Sequence, residues 1–230
     1  YTQGAIPVIT GQLGMAYQVD FAAPETPYRE SRVSDKKHSV FLPRPMKKLV
    51  LSPVQDFHPL SSTLYYGGGE RVGYLHFTIE APEEEELLLA YGEHLVEGRI
   101  QSAIGNRNFV LRFRLKQGRN VFFGPLFRLG LAYLEIQQGK GLHVLHLGVV
   151  DALYPHRPFA YRKNPIDQDI VEGSLKTLEC CMHDHYEDCP WREQAQYTMD
   201  GRTEILLSYL IFHETALPRN SLLSMSYRST

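Results

Sequence analysis

The chain has 230 residues, 43% of them hydrophobic and 22% charged, which allows one large domain or two ordinary ones and excludes a disordered segment. Its 24 Lys and Arg against 26 Asp and Glu give a net charge of -2, so no basic field is present to grip nucleic acid. No stretch approaches the ~20 apolar residues of a membrane helix.

Residues 1–36 give weak signals. The opening YTQGAIPVITG has neither a basic n-region nor an initiator Met, and it reads as processed or excised, the end of something upstream. From about residue 37 to 155 the sequence is a series of short β runs between turns. The expected strands are 38–42, 48–54, 62–66, 71–80, 86–92, 108–116, 120–124, 131–137 and 142–150. Alternation of Leu75, Phe77 and Ile79 with Tyr74, His76 and Thr78, and of Leu111, Phe113 and Leu115 with Val110, Arg112 and Arg114, is the period of half-buried strands. Strands at this spacing predict an antiparallel β-sandwich of jelly-roll type. The EEEE run at 83–86, after Ala-Pro, reads as a solvated turn.

At Asn164 and Pro165 the period changes, since Asn is a good N-cap and Pro is favoured at the first helical position. A long helix is expected over about 165–187, with Ile166, Ile170, Leu175, Leu178, Cys181 and Met182 as its apolar stripe. A second is expected to begin near Asp200 and run to Thr215, and its segment EILLSYLIF is apolar all round, which predicts burial. The fold class is therefore β followed by α. The expected divisions are 1–47, an upstream end and connector; 48–158, the sandwich; and 159–230, the helical part.

The densest polar chemistry lies between Cys180 and Arg202. All three cysteines, Cys180, Cys181 and Cys189, fall in it, and an odd count excludes a disulfide framework while leaning weakly to the cytoplasm over the periplasm. With His183 and His185 they offer enough ligands for zinc, but not its usual paired spacing, and two His two apart on a helix face different ways. Core thiols and a polar helix end are the simpler reading, and no metal or other cofactor is expected. The same stretch offers Asp188, Glu193 and Asp200. Acid-catalysed glycoside cleavage needs a protonated carboxyl to donate to the leaving oxygen. From spacing alone, Asp188 can equally be a turn residue before Cys-Pro, Glu193 a loop charge, and Asp200 a helix cap or half of an Asp-Gly turn.

The segment DCPWREQAQYTMDGR, residues 188–202, resembles the signature of the α-L-rhamnosidases of glycoside hydrolase family 78. The phrases YGEHLVEGR (91–99), FFGPLFR (122–128), AYLEI (132–136) and LPRP (42–45) resemble that family's β-sandwich and the connector into it. The resemblance covers about 42–215. It implies that Glu193 is the general acid, that Asp188 and Asp200 hold hydroxyls of a rhamnosyl ring, that Arg192 flanks the acid and that Tyr197 supplies an aromatic wall. Tyr197 stands where the family commonly has Trp, Met199 where it has Gly and Gly201 where it has Ala.

The resemblance further implies an inverting mechanism, the first helices of an (α/α)6 toroid, and a general base beyond Thr230. The 230 residues are accordingly expected to be a portion of a larger enzyme, the sandwich and first hairpin, inactive alone. The expected partner is a rhamnose-containing carbohydrate, with no nucleic acid and no membrane; homo-oligomerisation stays open. The alternative is a carbohydrate-binding or interaction module without catalysis of its own. Sugars are held by carboxylates that accept hydroxyl hydrogen bonds and by aromatic faces, and both are present in this loop.

Overall fold

Alternating apolar side chains build most of the computed structural model, which describes residues 8–10, 14–15, 18–24, 43–159 and 167–227. The expected strand at 38–42 and the Asn164-Pro165 helix start lie outside the described residues. Eight strands are joined in one sheet, seven of them in a continuous path: β1 (Gln18–Asp20), β2 (Val50–Asp56), β3 (Leu64–Ala81), β4 (Glu85–Gly92), β5 (Val110–Leu115), β6 (Gly118–Gln138) and β7 (His143–Leu153), with the two-residue strand His58–Pro59 pairing with β3 off that path. Their order is β1-β5-β4-β6-β3-β7-β2, and all these pairs are antiparallel except β1 with β5.

The sheet curls. Strands in a sheet lie about 4.8 Å apart, so three steps from β5 to β3 would separate their side chains by roughly 14 Å if it were flat. Phe113 of β5 and Phe77 of β3 instead meet edge to face with ring centroids 5.0 Å apart. Phe122 of β6 stacks on Phe77 at 5.3 Å. Leu75, Phe77, Ile79, Leu87, Leu89, Leu111, Phe113 and Leu115 are all fully buried inside this curl, as the alternation predicts. The main sheet is thus wrapped around its core.

Two pairs of expected strands fuse. The runs at 62–66 and 71–80 become β3, whose Gly68 and Gly69 take positive φ (78° and 137°) at the bend. Those at 120–124 and 131–137 become β6, with register shifts between Phe123 and Arg128 and between Leu131 and Tyr133. Bulges absorb what the sequence presented as turns, and Pro125 sits within one of these shifts. The acidic run is only half a turn, because Glu85 and Glu86 begin β4, where Glu86 pairs with Arg112 and the preceding Glu84 pairs with Arg114.

Three helices follow: α1 (Gln168–Cys181), α2 (Thr198–Phe212) and α3 (Ala216–Tyr227). The first is shorter than expected, because Met182 is extended and forms a bridge with Tyr186. A second core gathers Tyr154, Leu178, Met182, Tyr186, Phe212 and Leu217. The expected burial of EILLSYLIF is overturned: Leu206, Leu207, Tyr209 and Leu210 are 50%, 40%, 55% and 66% exposed. Only one side of α2, marked by Gly201, Ser208 and Phe212, is buried. Ile170, assigned to the apolar stripe of α1, is likewise 70% exposed. Among the described residues, no helix is long and apolar enough to cross a membrane.

Candidate active site

The segment between α1 and α2 is pinned at two points. Tyr186 is buried in the helical core and Trp191 in the sheet core, where it lies 4.7 Å from the Phe109 ring and 5.5 Å from that of His94. Burying an indole removes some 150–250 Å² from water, worth at most roughly 4–6 kcal/mol. The close approach requires glycine on the sheet: a Cβ at Gly130 of β6 would stand 2.2 Å from the Pro190 carbonyl oxygen. Gln194, with φ 49°, donates from its side-chain amide to the carbonyls of Arg128 and Pro190.

Asp188 closes the loop on itself. Its backbone N–H donates to the Ala195 carbonyl at 2.9 Å, and its Oδ1 accepts from the Ala195 N–H at 2.9 Å. Glu193 stands on the same short loop, half-buried, with Oε1 accepting from Nη2 of Arg107 at 3.0 Å. A side-chain hydrogen bond with Asp188 raises its pKa from the ordinary carboxylate value, helped by desolvation and by the Asp188 charge. Arg107 and Arg192 oppose that shift. The net direction is upward.

Arg192 is exposed and also acts on Glu93, whose carboxyl is raised by burial. Tyr197, 45% exposed, stands at the N-cap position of α2. Asp200 is exposed in the first helical turn, where a negative charge is favoured by the helix dipole. Asp188 and Asp200 both raise the pKa of one group, Glu204, by their charge.

Two residues were missed in the sequence. Arg107 reaches the loop from a hairpin of the β-rich part. Glu204, one helical turn after Asp200, has a carboxyl pushed up to about 8, chiefly by burial and then by Asp200, while a hydrogen bond with Cys181 works against the rise. Its spacing from Asp200 placed both on one helix face, but the apolar run around it drew the reading away. A groove of about 500 Å³ between α1 and α2 is lined by Glu204, Cys181, Leu207 and Ile170 and by none of the five residues expected in the site.

Asp188, Cys189 and Glu193 bring one ligand atom each within 4.8 Å of one another, a set able to hold a cation. An ion there would compete with Arg107 for Glu193 and would need the Cys189 thiol ionised, which burial disfavours. The other sulfurs, Cys180 and Cys181, are buried in α1, with thiols pushed up by desolvation, and do not join it.

No protein-family model matches the chain, and no curated protein matches it by sequence. Solved structures do. A family 78 rhamnosidase of Bacillus sp. GL1 matches with a TM-score of 0.64 and 25% identity, over 76% of this chain and 19% of that one. The rhamnosidase from Klebsiella oxytoca, solved with rhamnose bound, matches with a TM-score of 0.56 and 19% identity over 77% and 42%. The α-L-rhamnosidase from Aspergillus terreus matches with a TM-score of 0.51 and 15% identity over 62% and 18%. The last two are likenesses of fold alone. These matches support the relationship to family 78 rhamnosidases suggested by the 188–202 loop, and the chain spans 19% of the Bacillus protein.

Proposed function

We propose that this chain carries the acid-bearing loop of an α-L-rhamnosidase-like glycoside hydrolase, with Glu193 as the proton donor. The observation that carries the reading is the Asp188–Glu193 pair, held on a loop anchored in both cores, with the hydrogen bond to Asp188 raising the Glu193 carboxyl in the direction that favours its protonated form. In this reading residues 48–158 form the β domain and 159–230 begin an (α/α)6 helical domain. Asp188 and Asp200 accept hydrogen bonds from ring hydroxyls, Arg192 flanks the acid, and Tyr197 offers a ring to the apolar sugar face. Water attacks directly with inversion, activated by a base supplied from elsewhere in the helical domain.

Activity is proposed for a polypeptide that completes that domain. There, Glu193→Gln keeps the shape and removes the proton, so cleavage of a rhamnoside with a poor leaving group falls by roughly 10² to 10⁴. A rhamnoside whose leaving group needs little protonation suffers much less. Asp200→Asn weakens rhamnose binding and turnover with either leaving group. Equal leaving-group dependence of the two variants, or full activity of Glu193→Gln, refutes the assignment. A second reading, an interaction module without catalysis, is favoured by the exposed apolar face of α2; it predicts rhamnose binding or partner binding with no dependence on Glu193.

A further inference from the structure

Arg107 sits on a small hairpin, Ala103–Ile104 paired with Arg107–Asn108, turned by Gly105 at φ 60°. The hairpin is rooted in the sheet core two residues later. Phe109 is fully buried, donates its N–H to the Ser102 carbonyl at 2.8 Å, and packs on Tyr91 and on Trp191 with centroids 5.6 and 4.7 Å away. From that base the Arg107 guanidinium makes two different bonds to consecutive residues of the loop. Nε donates to the backbone carbonyl of Arg192 at 3.1 Å, and Nη2 donates to Oε1 of Glu193 at 3.0 Å.

We infer that Arg107 is a positioning residue for Glu193: the β-rich part fixes both the backbone and the carboxylate of the proposed acid through one guanidinium fork. A planar fork with donors in fixed directions can satisfy a carbonyl and a carboxylate together; an ammonium, a point charge on a flexible stem, cannot reproduce that geometry. The path from Phe109 in the core to Arg107 is short, so the anchor is stiff. With Oε1 engaged by Arg107, the carboxyl is held in one orientation. The charged groups that act on Glu193 are Asp188, which raises its pKa, and Arg107 and Arg192, which lower it. This inference rests on Glu193 being the proton donor, but the clamp itself can be tested without activity.

The test uses the 230-residue chain and carboxyl-detected NMR titration of Glu193, with amide exchange of Gln194 and Ala195 read in parallel. Arg107→Gln removes a positive charge at hydrogen-bond distance, so the Glu193 midpoint rises by about one pH unit and both amides exchange faster. Arg107→Lys keeps the charge, so the midpoint moves less, while the exchange still accelerates because the fork is lost. Arg114→Gln, which removes an ion-paired Arg from the outer face of the sheet, changes neither. A merely structural role for Arg107 would lower stability without moving the Glu193 midpoint. An unchanged midpoint in Arg107→Gln, or an equal shift in Arg114→Gln, overturns the inference. Should Arg107→Gln not fold, unchanged amide exchange in Arg107→Lys overturns it instead. If Glu193→Gln leaves rhamnoside cleavage intact, the proton-donor reading falls while the titration still decides the clamp.

Discussion

Arg128 and Glu187 form an ion pair at 2.8 Å with side chains only 3% and 2% exposed. Arg128 lies at the bulge of β6, and Glu187 immediately precedes Asp188. The other end of the guanidinium donates to the Cys180 carbonyl at the C-terminal end of α1, at 2.8 Å, and Glu187 also engages His183 at 2.9 Å. One buried cation thus ties the sheet, the end of α1 and the start of the 188–202 loop. Breaking such a pair leaves an unmatched buried charge, which costs more than the pair itself contributes. Arg128→Met is expected to destabilise by about 3–5 kcal/mol, and Arg128→Met with Glu187→Leu by distinctly less, measured by urea denaturation. If the double variant is the less stable, the cost lies in packing rather than in the orphaned carboxylate.

Trp191 gives a second prediction. Its ring fills the space between Phe109, His94 and Gly92, and its Nε1–H is buried with no partner among the described residues. The indole therefore contributes shape rather than a hydrogen bond. Trp191→Ala should cost about 3–5 kcal/mol and loosen the loop, seen as faster exchange of the Ala195 amide. Trp191→Phe leaves a smaller cavity and should cost less than half as much. Equal costs would mean that the nitrogen matters after all.

The strands were legible where one face is buried and the other is wet. Leu111, Phe113 and Leu115 are buried while Arg112 and Arg114 are exposed, so period two was visible without any tertiary knowledge. The fusion of strands was not legible, because GGGE and GPLF carry the residues of turns and only the curl of the sheet makes them bulges. The 188–202 loop could be picked out from its motif. The partner that orients it could not, since Arg107 is 86 residues away in sequence from Glu193 and nothing local marks it. The burial of α2 was misjudged for a related reason: apolar composition signals a surface to be covered, and this chain covers only one side of it.

Glu204 and Glu70 make stability depend on pH. Both carboxyls are pushed up to about 8, first by burial; Asp200 adds to the rise at Glu204 and Glu93 to that at Glu70. In the unfolded chain each ionises in the ordinary carboxylate range. A folded-state pKa above the unfolded one gives stability that is fully present below the unfolded value and lost as pH rises through the folded one. The urea midpoint should therefore fall between about pH 5 and pH 8. Glu204→Gln should flatten that slope, since the amide cannot ionise. A slope of the same steepness in Glu204→Gln would show that this carboxyl is not the titrating group.

Asp188 and Arg107 pull Glu193 in opposite directions, and substitution should expose the opposition. Asp188 is the first cause of the raised Glu193 pKa, through their shared hydrogen bond and then its charge. Asp188→Asn removes the like charge and substitutes an amide that can donate to the Glu193 carboxylate, while its carbonyl oxygen can still accept from the Ala195 N–H. Both changes favour ionised Glu193, so its pKa falls. A reaction that needs protonated Glu193 loses rate as pH rises through that pKa, so the alkaline limb of kcat/KM moves to lower pH in Asp188→Asn. Carboxyl NMR of Glu193 should show the same downward direction, opposite to the rise expected in Arg107→Gln. A limb that stays in place, or moves up, would mean that Asp188 does not hold the proton on Glu193, and the acid would have to be sought among the other raised carboxyls, Glu204 first.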